Sequence, residues 1–216
     1  MHQRTALICF SHLRWNFVYQ RPQHLMSRIA TRMRVLFIEE PYFGDTNYFE
    51  VTNPKENLWI VVPHLKVGMS PAEIQRHQKE FISRLLFKMN ISSYVAWYYT
   101  PMALQISDHL NPELIVYDCM DELTAFKFAP QELKDLEKRL LSKADVVFTG
   151  GYSLYDAKKH QHKNIHPFPS SIDYDHFFQA RTIVDEPEDQ ARIPHRRFGF
   201  YGVIDERMDL ALLDSV

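Results

Sequence analysis

The stretch "LIVYDCMDEL", residues 114–123, passes from an apolar run into the acidic side chains Asp118, Asp121 and Glu122. A short, near-continuous apolar run suits a strand covered on both faces, as in a parallel sheet. The carboxylates then sit where a core strand leaves the sheet. Partial burial and mutual repulsion there raise the pKa of one of them. Such a group can serve as general base toward a hydroxyl. A structural alternative stands beside this one: Asp118 or Asp121 caps the next helix, or pairs with Arg14 or Arg21.

Runs of the same kind recur at "ALICF" (6–10), "VLFIE" (35–39), "LWIVV" (58–62), "YVAWYY" (94–99), "ADVVFTG" (144–150) and "FGFYG" (198–202). The segments between them carry helical periodicity. "SPAEIQRHQKEFISRLLFKMN" offers Ser70 as N-cap, Pro71 in the first turn and Glu73 to complete a capping box. Ile74, Phe81, Ile82, Leu85, Leu86 and Met89 then share a face. "PQELKDLEKRLLSK" and "RPQHLMSRIATR" read as helices too, and "SLYDAKKH" as one capped by Ser153. Alternating β and α elements predict an α/β fold, a Rossmann-like doubly wound parallel sheet with helices on both faces. There is no internal repeat.

The chain has 216 residues, 45% hydrophobic and 24% charged, with a formal net charge of -2. At about 150 residues per domain this is one large domain, or one domain plus a piece. The balanced charge gives no basic footprint for nucleic acid. No apolar run reaches the ~18 residues of a membrane span, and the N-terminus lacks a secretory h-region, so the expected location is cytoplasmic. Cys9 and Cys119 read as free thiols in a reducing compartment. The polar, proline-bearing segment 180–197 reads as a linker. Residues 1–179 are then one Rossmann-like domain, and 198–216 a strand, a glycine turn and the start of a helix.

Ligands in such sheets bind beyond the carboxyl ends of the strands. The loop after the first strand, "SHLRWNFVYQRPQHL", is longer than the usual ~2–6 residues and lacks the glycines of a dinucleotide loop. Its His12, Trp15, Arg21, Gln23 and His24 suit sugar recognition, aromatic faces stacking on pyranose faces and polar groups meeting hydroxyls. The alternative is that Trp15 and Phe17 fold back into the core and Arg21 caps a carbonyl. Thr100–Pro101 reads as a helix start, and Gly150–Gly151 as a turn. His160, His162 and His166 do not share a helix face and read as a solvated helix end, not a metal site.

Together "RWNFVYQRPQHLMSRIA", "VYDCMDELTAF", "LLSKADVVFTGGYSLYDAKK", "HPFPSSIDYDHF" and "GFYGVIDERMDLALL" resemble bacterial glycosyltransferases of the GT-B fold, in the retaining family 4 group often called family 1 by domain name. The likeness extends to enzymes of cell-surface polysaccharide synthesis such as teichuronic acid transferases. The resemblance implies an N-terminal acceptor domain plus the first unit of the donor domain. It implies a nucleotide-sugar donor, a saccharide or lipid-linked acceptor, and no metal or other cofactor. A lipid-linked acceptor would bring the protein to the inner face of the membrane. Asp121 is the leading catalytic candidate and Asp118 the second, with Glu122 beside the substrate; "DCMDEL" lacks the histidine many family members carry there. Gly202 and Arg207 would meet the donor diphosphate. This chain alone should not turn over. Two rival readings are a sugar-nucleotide epimerase of the same fold and a non-catalytic saccharide-binding module.

Overall fold

The computed structural model describes residues 5–126, 129–182, 185–197, 199–200, 202, 204 and 208–215. The chain divides into two compact units, Met1–Ser171 and Ile172–Val216.

The first unit is built on a nine-stranded sheet ordered β3-β5-β2-β1-β6-β7-β8-β9, with β4 paired to β5. The strands are β1 (Ala6–Phe10), β2 (Val35–Ile38), β3 (Tyr42–Gly44), β4 (Tyr48–Lys55), β5 (Leu58–Lys66), β6 (Tyr94–Tyr98), β7 (Leu114–Cys119), β8 (Val146–Thr149) and β9 (Ile165–Pro167). All pairings are parallel except β4 with β5. The chain builds outward from β1 through β2 to β5. It then returns to lay β6 on the other side of β1. The order therefore reverses between β1 and β6, and the loops after these two strands frame the crevice.

Burial on both faces explains the continuous apolar runs. Ala6, Ile8 and Phe10 of β1 join one core, with Ile82, Leu85 and Leu86 of α2 (Pro71–Lys88) and Leu136, Leu140 and Leu141 of α4 (Leu133–Lys143). Leu7 and Cys9 face the opposite core, with Phe37, Trp15 and Met26 of α1 (Arg21–Ile29). Two short helices complete this unit, α3 (Leu104–Ser107) and α5 (Tyr152–Lys158). The capping box at Ser70 is formed: Ser70 Oγ accepts from the Glu73 amide, and Glu73 Oε2 accepts from the Ser70 amide at 2.8 Å. Thr100 caps the 3-10 turn Pro101–Ala103, its hydroxyl accepting from the Met102 amide.

Three strands have no counterpart among the apolar runs. β4 is an exposed edge strand that carries Pro54 and an irregular register between Thr52 and Lys55, so neither face imposes a pattern. β3 and β9 are three residues each. At α5 the expected Ser153 cap gives way to Gly151, whose extended backbone starts the helix at Tyr152.

The second unit contains α6 (Tyr174–Phe178), capped by Asp173, then α7 (Glu188–Ala191) and α8 (Leu210–Asp214), capped by Asp209. Arg197 pairs with Glu186 at 3.0 Å. The expected strand at 198–202 lies partly outside the described residues, and so does Arg207. Gly202 is exposed.

Candidate functional site

The long loop after β1 is held down by its own polar residues. Gln23, fully buried, donates from Nε2 to the carbonyls of Arg14, Trp15 and Val18, and its Oε1 accepts from the Gln20 amide at 3.1 Å. Trp15 lies edge-on to Phe37 with ring centroids 5.1 Å apart, and its amide donates to Glu39 Oε1 at 2.8 Å. Arg14 pairs with Glu39 at 3.1 Å, donates to the Glu40 carbonyl and lies 3.8 Å over the Tyr42 ring. These bonds tie the loop after β1 to the end of β2. Trp15 thus folds back into the core, whereas Phe17 stands 74% exposed at the loop tip.

Arg21 opens α1 and reaches across to the end of β7. Its Nε and Nη2 fork onto Asp118, with Nη2 to Oδ1 at 2.8 Å and Nε to Oδ2 at 3.0 Å. Nη1 donates to the Phe168 carbonyl after β9. Asp118 is 0% exposed. Burial pushes its carboxyl up from the ordinary value, and the Arg21 guanidinium pulls it back toward the charged form. In place of a carboxylate facing the crevice, Asp118 is the buried anchor of a guanidinium strut that joins three loops.

Glu122 is also turned away from the crevice. It pairs with Lys158 of α5 at 2.9 Å. Lys158 is 3% exposed and also pairs with Glu137 of α4 at 2.9 Å, and Glu137 accepts from Tyr117. Thr124 donates to the remaining Glu122 oxygen. His24 packs edge-on to Tyr19 and beside Arg28. Arg21, Gln23, Trp15 and Glu122, each expected to contact substrate, therefore shape the rim from beneath it.

His12 and Asp121 remain at the rim. Both are partly exposed, and neither joins the ion pairs that occupy Asp118 and Glu122 among the described residues. Burial lowers the His12 pKa, and the Asp121 carboxylate offsets part of that. The ring is therefore neutral at pH 7 and can donate or accept a hydrogen bond. Its Nδ1 is buried without a protein partner. The backbone beneath Asp121 is fixed by Gly150, whose amide donates to the Cys119 carbonyl at 2.8 Å. A Cβ at Gly150 would collide with the Met120 carbonyl oxygen, so a glycine there is needed for close approach of the chain after β8 to the acidic loop, whereas a side chain at Gly151 would meet open space.

A cavity of about 310 Å³ opens beside this rim. It is lined by Phe10 and Ser11 at the end of β1, Ile38 and Glu39 at the end of β2, and Thr100 after β6. The first half of α2 closes one side through Ile74, Gln75 and Gln78. Gln78 was not foreseen, although Ile74 and Ile82 flank it at helical spacing and so place it on the buried face. Lys158 and Glu137, two charges hidden on helices with otherwise ordinary polar faces, gave no signal in the sequence.

His160, His162 and His166 are spread along a helix end and a strand. His162 bonds the Ala144 carbonyl and His166 bonds Asn164. No group of three His, Cys, Asp or Glu side chains among the described residues could hold a metal ion. No helix among them is long and apolar enough to cross a membrane.

The reversal between β1 and β6 makes this a Rossmann-like doubly wound sheet, and its fold matches about half of the GT-B fold of the solved structures it resembles. Two solved structures share that fold. One is the sucrose-phosphate synthase of Thermosynechococcus elongatus, at 13% identity and a TM-score of 0.55, with 77% of this chain and 48% of that one covered. The other is the E. coli trehalose-6-phosphate structure bound with UDP-2-fluoro glucose, at 10% identity and a TM-score of 0.56, with 88% and 54% covered. The chain thus spans about half the length of the structures it matches. No family model and no curated protein matches the sequence.

Proposed function

We propose that this chain is the acceptor-side half of a retaining glycosyltransferase that moves a sugar from a nucleotide-sugar to a saccharide or lipid-linked acceptor in cell-surface polysaccharide synthesis. One observation carries the reading. The loop after β1 and the acidic loop after β7 converge at the switch point of one parallel sheet, locked by the Arg21–Asp118 pair, with His12 and Asp121 left at the rim. The UDP-sugar named with the E. coli neighbour supports a nucleotide-sugar as donor class.

Asp121 positions the acceptor hydroxyl and stabilises positive charge developing on the donor sugar. Neutral His12 orients the same hydroxyl through a hydrogen bond. The departing phosphate takes the acceptor proton, so no metal is required. Gly202 and Arg207 begin the donor side. In this scheme turnover needs a donor-binding half opposite the acceptor side.

The test is Asp121→Asn in the protein carrying both halves. Transfer should fall by about 10²–10⁴-fold while acceptor binding persists. Unchanged turnover would remove Asp121 from the mechanism. Conversion of the nucleotide-sugar with no acceptor present would replace transfer by epimerisation.

A further inference from the structure

The cavity beside the rim is walled largely by apolar side chains: Phe10, Ile38, Phe43, Ile74, Met102 and Ile106. Its volume, about 310 Å³, sits at the lower end of the range for small-molecule sites. One of its lining residues, Gln78, carries an unmet polar atom. Gln78 is 4% exposed, and its Oε1 is buried with no hydrogen-bond partner. A buried amide oxygen without a donor is costly to leave unmet, so its natural complement is a ligand hydroxyl or N–H. On the same side Gln75 Nε2 donates to Gln105 Oε1 at 3.2 Å, joining α2 to α3, and both residues line the cavity.

The charge of the cavity is as informative as its shape. Glu39 and Glu40 both line it, and no Lys, Arg or His does. Arg14, the partner of the lining residue Glu39, is also engaged by the Glu40 and Pro41 carbonyls and by the Tyr42 ring. A phosphate or carboxylate entering here would meet carboxylates with no free guanidinium or ammonium to pair with.

The cavity also adjoins the proposed reaction centre. Ser11 and Thr100 on its wall are the chain neighbours of His12 and Tyr99, and the His12 ring lies beside the Tyr99 carbonyl.

We infer that the cavity between α2 and the ends of β1, β2 and β6 is the acceptor subsite, and that it takes an uncharged pyranose or the apolar aglycone attached to it, with Gln78 Oε1 receiving a ligand hydroxyl. Sugar phosphates are rejected. The inference rests on the glycosyl-transfer reading only for the word acceptor; the binding chemistry stands on the cavity itself.

The test is methyl-resolved NMR titration of this chain with phenyl β-D-glucopyranoside and, separately, glucose 6-phosphate. The glucoside should shift the Ile74, Met102 and Ile106 methyl signals with an affinity in the millimolar range, and glucose 6-phosphate should bind at least roughly tenfold more weakly. Ile74→Trp, which fills the cavity, should abolish the shifts at Met102. Gln78→Leu, which replaces the stranded amide by a side chain content to be buried, should weaken the glucoside about fivefold without lowering the unfolding midpoint. If Ile74→Trp fails to fold, Gln78→Leu decides. Equal or tighter binding of the phosphate, shifts that map elsewhere, or no glucoside binding at about 50 mM would overturn the inference. Failure of the Asp121→Asn test with these shifts intact would overturn glycosyl transfer and leave the subsite standing; the reverse pattern would overturn the subsite alone.

Discussion

Arg21→Met takes the cation away from a carboxylate that no water reaches. The two side chains are 4% and 0% exposed, so solvent does little to screen the pair. Both Asp118 oxygens accept from the guanidinium, at 2.8 to 3.1 Å. Removing one partner of a buried pair of this kind costs about 3–5 kcal/mol, because the remaining carboxylate is left buried with only the neutral Tyr99 and Trp97 side chains beside it. For a chain of this size that corresponds to a fall in melting temperature of roughly 6–20 °C. Asp118→Asn should cost less, about 1–3 kcal/mol, since the amide oxygen still accepts from Arg21. The double variant Arg21→Met/Asp118→Leu removes both charges and should recover most of the loss. Urea unfolding followed by circular dichroism measures all three, with Asp118→Leu as the second single change of the cycle. If Arg21→Met loses under about 1 kcal/mol, or the double variant loses the sum of its single changes, the strut is not what fixes these loops.

Lys158 provides a pH test. Burial alone would lower its pKa, but the hydrogen bonds to Glu122 and Glu137 outweigh it and hold the folded value above the ordinary 10.5. The stability this lends is full below about pH 10.5 and is lost as pH climbs through the folded pKa. Burial acts to raise Glu122, yet Thr124 and Lys158 hold it below the ordinary 4.5, so its share is present above that pH and fades as pH falls through the folded value. Chemical denaturation across the pH range should show both steps in the native chain, and Lys158→Met should lose the alkaline one together with about 3–5 kcal/mol at neutral pH, Glu137 being left unpaired. Gly150→Ala should cost about 1–3 kcal/mol by forcing the Met120 carbonyl aside, read as a lowered urea midpoint; an unchanged midpoint would mean the acidic loop yields freely. Leu140→Ala, at a fully buried core position, should cost about 2–5 kcal/mol by the same measurement.

Much of the fold was legible because the interior strands are covered on both faces. Continuous apolar runs at 6–10, 35–39 and 114–118 can be little else, and the Ser70–Glu73 box announces α2 before any packing is known. The edge was not legible, since β4 is solvated and broken by Pro54, which erases the periodicity that marks a strand. The site was half legible. "DCMDEL" and the loop after β1 stood out as a pair, and the structural alternative already weighed for the carboxylates, a pairing with Arg21, is what Asp118 adopts.

What the linear order of residues determined on its own was the alternation of elements, and with it a parallel sheet whose acidic and aromatic loops emerge at one rim. Only the folded chain decided which of those polar side chains look outward. Three carboxylates within a few positions of one another have the same chemistry on paper. A guanidinium 97 residues upstream claims Asp118 and an ammonium on α5 claims Glu122, whereas Asp121, partly exposed, joins neither of these pairs. That selection depends on distances between elements far apart in sequence, which local pattern does not encode.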